Sequence, residues 1–153
     1  MLKLNDTSEQ SILNMLVEHK SISPQQLKQI ETLSNEGGKT KLETSFELNI
    51  TSPDKILTVL ADSYSLPKVE LKKIVITDKI KQLAALRYLR ENIIVPFEFT
   101  SEIIKVAIPD SSKLGLIKNI KNITQLEPEL YASSLTEIDN FYKRLENRKN
   151  SEE

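Results

Sequence analysis

Few residues in this 153-residue chain have types and spacings suited to chemistry. His19 is the only histidine and cysteine is absent. A metal cluster would therefore rest on one imidazole and scattered carboxylates, with no ligand spacing to support it. A histidine near the end of an amphipathic helix packs or meets a helix-end carbonyl, and nothing in the sequence pairs His19 with a serine for hydrolysis. Gly38-Lys39-Thr40 imitates the end of a phosphate-binding loop. That loop needs a glycine five residues earlier and a strand before it; position 33 is Leu33, and the preceding pattern is helical. Carboxylates are plentiful, but none is placed by the sequence in an apolar pocket that would tune it for acid–base work. The expectation is a chain that is not an enzyme, with no catalytic residue, no metal and no cofactor.

Charge offers a second candidate. The net charge is −1, with 39% apolar and 28% charged residues, which suits a soluble globular protein and argues against a general nucleic-acid binder. Residues 1–65 carry six basic and nine acidic side chains, and residues 66–153 carry 15 and 13. Within 68–90, seven basic residues stand against Glu70 and Asp78. Six of them, Lys72, Lys73, Lys79, Lys81, Arg87 and Arg90, are the candidate partner surface; the alternative is an ordinary solvated helix face. No stretch approaches the ~20 apolar residues of a membrane span, and MLKLNDTSEQ lacks the apolar core of a signal peptide. A cytoplasmic protein without direct membrane insertion is expected.

The elements that must position these groups begin with a repeated signal. Ile22-Ser23-Pro24-Gln25-Gln26-Leu27 returns 29 residues later as Thr51-Ser52-Pro53-Asp54-Lys55-Ile56. Serine accepts from the free amides of a first helical turn, and proline after it has no N–H to lose. Each copy is preceded by apolar-periodic sequence, which predicts two helical hairpins over residues 1–65. Ser8 or Thr7 is the expected cap of a helix over 9–20, and Gly37-Gly38 the end of the second helix. After Leu66-Pro67 the pattern becomes mixed. Asp78 is the expected cap of a helix using Ile80, Leu83, Ala84, Leu86 and Leu89. Ile93–Phe99 and Ile103–Ile108 read as a hairpin, with Pro96 marking an edge or bulge. A helix with Leu114, Ile117 and Ile120, a strand over 126–132 and a last helix opened by Ser134-Leu135-Thr136-Glu137 follow. The fold class is α+β: a four-helix lobe over 1–65, then a small α/β lobe over 66–147 with a three-stranded, mainly antiparallel sheet flanked by helices. Residues 148–153 form a polar tail or linker.

This order of elements resembles the N-terminal domain of the type II secretion and type IV pilus assembly ATPases, the GspE N-terminal or MshEN class. The residues that carry the likeness are the paired starts at Ser23 and Ser52, LADSYSLPKVEL (Leu60–Leu71), VAIPD (Val106–Asp110) and ELYASSLTEIDNFYKRL (Glu129–Leu145). The resemblance implies a non-catalytic, cytoplasmic interaction or regulatory domain of a bacterial secretion, pilus or motility system. Its implied partners are an assembly ATPase, an inner-membrane platform protein or a polarity regulator. One branch of the family binds cyclic di-GMP through two tandem motifs that begin Arg-Leu-Gly, pass a second glycine and end in glutamine. Aligned on the repeated serines, this chain has Ser11 and Thr40 for the arginines and Leu13 and Leu42 for the first glycines. It has Lys20 and Asn49 for the second glycines, and Ser34 and Ser63 for the glutamines. Cyclic di-GMP is therefore an unlikely ligand on sequence grounds. The alternative is a nucleotide sensor using altered contacts, with Lys20, Lys39 and Lys41 meeting phosphates. No strand–GxxxxGK[ST]–helix is present, so the chain is expected to be a stand-alone relative or part of a longer ATPase.

Overall fold

The computed structural model describes residues 6–152. Its first half is four helices: α1 (Asp6–Glu18), α2 (Pro24–Gly37), α3 (Lys41–Glu47) and α4 (Pro53–Ser63). Both serine–proline signals act as read. Ser23 Oγ accepts from the Gln26 amide while Gln26 returns the bond to the Ser23 N–H at 2.9 Å, and Ser52 Oγ accepts from the Lys55 amide at 3.2 Å. Helix α1 begins ahead of Thr7 and Ser8, whose side chains lie outside those described.

The turns between the helices of each hairpin are duplicates as well. Ser21 N–H donates to Leu16 O and Ile50 N–H to Ser45 O, each closing a six-residue C-terminal loop. The residue that turns the chain is left-handed in both, Lys20 at φ 59° and Asn49 at φ 56°. Side chains with a Cβ resist that conformation by ~1 kcal/mol or more, which glycine avoids. Lys20→Gly and Asn49→Gly should therefore each raise stability by about 0.5–1 kcal/mol, read as a higher midpoint in urea at unchanged slope.

The second half contains a 310 turn (Leu71–Lys73), α5 (Asp78–Ala84), α6 (Arg87–Glu91), β1 (Val95–Phe99), β2 (Ile103–Ile108) and a second 310 turn (Ser111–Leu116). It ends with α7 (Ile117–Thr124), β3 (Glu127–Ala132) and α8 (Leu135–Glu152). The sheet order is β1-β2-β3. β1 and β2 form the expected hairpin, with β1 at the edge and a bulge between Pro96 and Glu98. β3 joins β2 in parallel, from Ile103↔Glu127 to Ile108↔Ala132, so the sheet is mixed and the antiparallel expectation holds for the hairpin alone. The physical reason is the intervening α7, which carries the chain back to the start of β2.

Alternation along β2 divides the core. Ile104, Val106 and Ile108 join Ile12, Leu13, Leu16, Ile30, Leu42, Ile56 and Leu60 of the helical half. Ala107, with Val95 and Phe97, faces Leu71, Ile76, Ile80, Ile138, Phe141 and Tyr142 on the other side. The sheet is thus a middle layer between the hairpins and α7 on one face and α5 and α8 on the other.

Several local details differ from the sequence reading. Thr77, not Asp78, caps α5, accepting from the Ile80 amide at 3.2 Å; Asp78 is the first helical residue. The single helix expected from Asp78 to Leu89 is broken at Leu86, whose backbone is extended (φ −59°, ψ 125°). Ile80 and Ala84 pack in one core and Leu89 in the other, so the break redirects the chain from one face of the sheet to the opposite one. Leu114 lies in a 310 turn, and α7 begins only at Ile117. Helix α8 continues through residues 148–152, where composition alone predicts a tail.

Two α8 side chains fasten this layer. Tyr142 Oη donates to Ile94 O at 2.5 Å, and burial pushes its phenol well above the usual range. Arg144 donates to Leu71 O at 3.1 Å and Ile74 O at 2.9 Å, closing the end of the first 310 turn. Tyr142→Phe should cost about 1–2 kcal/mol in thermal or chemical unfolding, because a buried carbonyl loses its donor while ring packing is kept.

Candidate functional site

The positions matching the nucleotide motif are occupied by residues serving this chain's own structure. Leu13 and Leu42 are buried in the first core, at 0% and 3% exposure. Ser11 Oγ lies 3.3 Å from Ser111 Oγ, tying α1 to the second 310 turn. Thr40 caps α3 by accepting from the Glu43 amide at 3.1 Å, which is the role of Gly38-Lys39-Thr40: a helix end at Gly38 (φ 68°) followed by a helix start. Ser34 Oγ donates to Lys39 O at 2.5 Å. Of the three lysines placed near the motif, Lys39 pairs with Glu47 at 2.5 Å, and Lys41 donates to Gln10 at 3.2 Å. Lys20 is exposed. His19 is exposed too, its ring set edge-on to Tyr64 at 6.3 Å.

The six basic residues of the candidate partner surface are spread over the first 310 turn, α5 and α6. Acidic partners are already in place for several: Lys73 with Glu70 (3.0 Å), Arg87 with Glu91 (2.6 Å) and Arg90 with Glu146 (2.5 Å). The Lys73 bond, more than the field of Lys72, holds the Glu70 carboxyl below its ordinary range. Lys81 is half-buried, while Lys72 and Lys79 are exposed.

Lys72 also lines a groove of about 430 Å³ that sequence reasoning missed. Pro53, Asp54 and Leu57 come from the start of α4, Glu70 from just before the first 310 turn and Lys72 from within it, Ser134 from just before α8, and Thr136 and Glu137 from its first turn. The serine–proline and Ser134–Glu137 start signals were legible, but nothing local says that these helix starts meet. Ser134 Oγ accepts from the Glu137 amide at 3.2 Å, while the Glu137 carboxylate accepts from Ser133 Oγ at 3.3 Å.

A second missed feature is the burial of Asp110, the acid of VAIPD. It is 0% exposed; Oδ1 accepts from the Ser112 amide at 2.9 Å and from the Ser112 hydroxyl, and Oδ2 has no hydrogen-bond partner. Burial raises its carboxyl above the ordinary 3.8, against the Ser112 bonds and the charge of Lys113, which pull it down. A raised folded-state value means the folded chain binds the proton more tightly than the unfolded one. This group's contribution to stability therefore grows as pH falls through the raised value toward 3.8. Asp110→Asn should remove that part of the stability–pH slope, measurable by urea unfolding across the acid range.

No curated protein matches the chain. Several solved structures share its fold. One of MshE with cdg (cyclic di-GMP) has TM-score 0.62 and 19% identity, covering 88% of this chain and 97% of that one. A crystal form of the N-terminal domain of XpsE has TM-score 0.61 and 20% identity, covering 94% and 98%. A second form of that domain has TM-score 0.52 and 21% identity, covering 94% and 99%. The MshEN domain model matches residues 64–152, the span that holds both 310 turns, the mixed sheet and the Tyr142 and Arg144 fastenings. By that match, extending over more than half of its length, this chain belongs to the MshEN domain family.

Proposed function

We propose that the chain is a non-catalytic, cytoplasmic interaction domain of a type II secretion, type IV pilus or related motility system. Its partner would be an assembly ATPase, an inner-membrane platform protein or a polarity regulator. Membership of the MshEN family supports the setting. The observation that carries the non-sensory reading is the burial of Leu13 and Leu42 where the ligand-binding motif has glycines; backbone that must approach a nucleotide closely has no room for a leucine. Among the described residues no helix is long and apolar enough to cross a membrane. Capture of a defined secretion or pilus component by the tagged chain from native lysate supports this function, and recovery of no such component above a tag-only control overturns it.

The competing reading, a cyclic di-GMP sensor, draws on the MshE structure with cdg. Calorimetry separates the two: no heat is expected on titrating cyclic di-GMP, and saturable binding abolished by Lys20→Ala would establish the sensor. The basic stretch remains part of the proposal, resting mainly on Lys72 and Lys79. Reversing Lys72, Lys73, Lys79 and Lys81 to glutamate should weaken partner capture.

A further inference from the structure

We propose that the second half of α8 is a latch on two loops, so that displacing this helix end opens the α6–β1 corner and the first 310 turn as one unit. The bistable part is Ile93, between α6 and β1, whose backbone is left-handed at φ 57°. A β-branched side chain is a steric outlier in that region. The other left-handed non-glycine residues described, Lys20, Asn49, Ser65 and Gln125, have no branch at Cβ. Ile93 N–H donates to Arg90 O at 3.2 Å and Ile94 N–H to Leu89 O at 3.1 Å, closing the corner around the strained residue. Ile93 packs against the second core while Leu89 and Ile94 lie in the first, so the corner spans both faces of the sheet. Strain of this kind persists only where the surroundings over-determine it.

Helix α8 supplies that determination. Tyr142 Oη donates to Ile94 O at 2.5 Å and lies 3.5 Å from Leu89 O, so one hydroxyl bridges the two ends of the corner. Glu146 accepts from Arg90 at 2.5 Å, and the Arg90 guanidinium sits 5.7 Å from the centre of the Tyr142 ring. From the same stretch, Arg144 donates to Leu71 O and Ile74 O of the first 310 turn. The first half of α8 is anchored differently, by burial of Leu135, Ile138 and Phe141. The second half therefore lifts while the first stays packed, and lifting it removes the groups that hold Ile93 left-handed. The 310 turn carries Lys72 and Lys73, and α6, which ends at the corner, carries Arg87 and Arg90. The latch thus sets the geometry of much of the basic stretch. Latch and corner work alike whether or not that stretch meets a partner.

Amide hydrogen exchange, read by NMR on the intact chain, tests this at Ile74 in the turn, Ile94 in the corner and Leu145 in α8. Leu60, in the core of the helical half, is the reference. In the wild type the three amides share one opening free energy, and it is lower than that of Leu60. Two variants then act on opposite loops. Tyr142→Phe removes only the corner's bond and Arg144→Met only the turn's, yet each speeds exchange about tenfold at Ile74, Ile94 and Leu145 together. Glu146→Gln, a milder change on the corner side, speeds all three about threefold and serves if Tyr142→Phe does not fold. Ile93→Leu keeps the apolar volume without the β-branch, and slows all three about threefold.

Variants that each speed only their own loop overturn the proposal, because they show two independent fastenings. So do three amides that exchange no faster than Leu60 in the wild type, which leaves no opening short of global unfolding. An Ile93→Leu corner that opens as readily as the wild type, or more so, removes Ile93 as the bistable part and overturns it too.

Discussion

Restoring the two motif glycines, Leu13→Gly with Leu42→Gly, should leave a chain without a cooperative unfolding transition. Leu13 lies inside α1 and Leu42 inside α3, both in the core that the helical half shares with the sheet. Emptying a buried leucine site costs about 2–5 kcal/mol, and glycine inside a helix adds about 1 kcal/mol. Two such losses together reach the whole stability of an ordinary domain, about 5–15 kcal/mol. Circular dichroism during heating is the measurement, with a sloping trace and no midpoint as the expected result. A double variant that stays folded and binds cyclic di-GMP would show that the leucines merely cover a working nucleotide site.

The second large effect concerns the division at residue 65. Residues 1–65 produced alone should not fold, although they hold four helices, three of them with a described side-chain cap at Ser23, Thr40 or Ser52. Their buried residues Ile12, Leu16, Ile30, Ile56 and Leu60 pack in one continuous core with Leu89, Ile94, Ile104, Val106, Ile108 and Ile120 of the second half. Removing that half returns these apolar side chains to water, each at about 1.5–3 kcal/mol, while short helices are marginal without packing. Amide protection in the isolated fragment should be near that of an unfolded peptide. A fragment with dispersed NMR signals and a sharp melting midpoint would instead establish two independent units.

Much of this architecture can be traced to single residues. Ser23 and Ser52 start helices because a hydroxyl followed by proline satisfies the first turn wherever it occurs. Gly38 ends α2 because φ 68° suits glycine, and Pro96 sits at a bulged edge because it lacks a ladder donor. The doubled hairpin, the β1–β2 hairpin and the resemblance to the MshEN class follow from such local, additive signals. So does the departure from the nucleotide motif, since Leu13 and Leu42 are apolar at helical spacing.

What folding decided is what depends on distant partners. Leu86 carries no breaker signal, yet the helix stops there because Ala84 and Leu89 must reach opposite faces of the sheet. The basic stretch looked like one surface in sequence, but Glu91 and Glu146 meet two of its arginines. Asp110 reads as a turn residue, and only packing shows its carboxylate buried. The acidic groove requires residues 53–57, 70–72 and 134–137 to converge. Caps, turns and strand alternation are set by neighbours along the chain and were determined by the sequence alone. Charge pairing, burial and the meeting of two helix starts depend on distances between remote segments, which only the tertiary structure fixes.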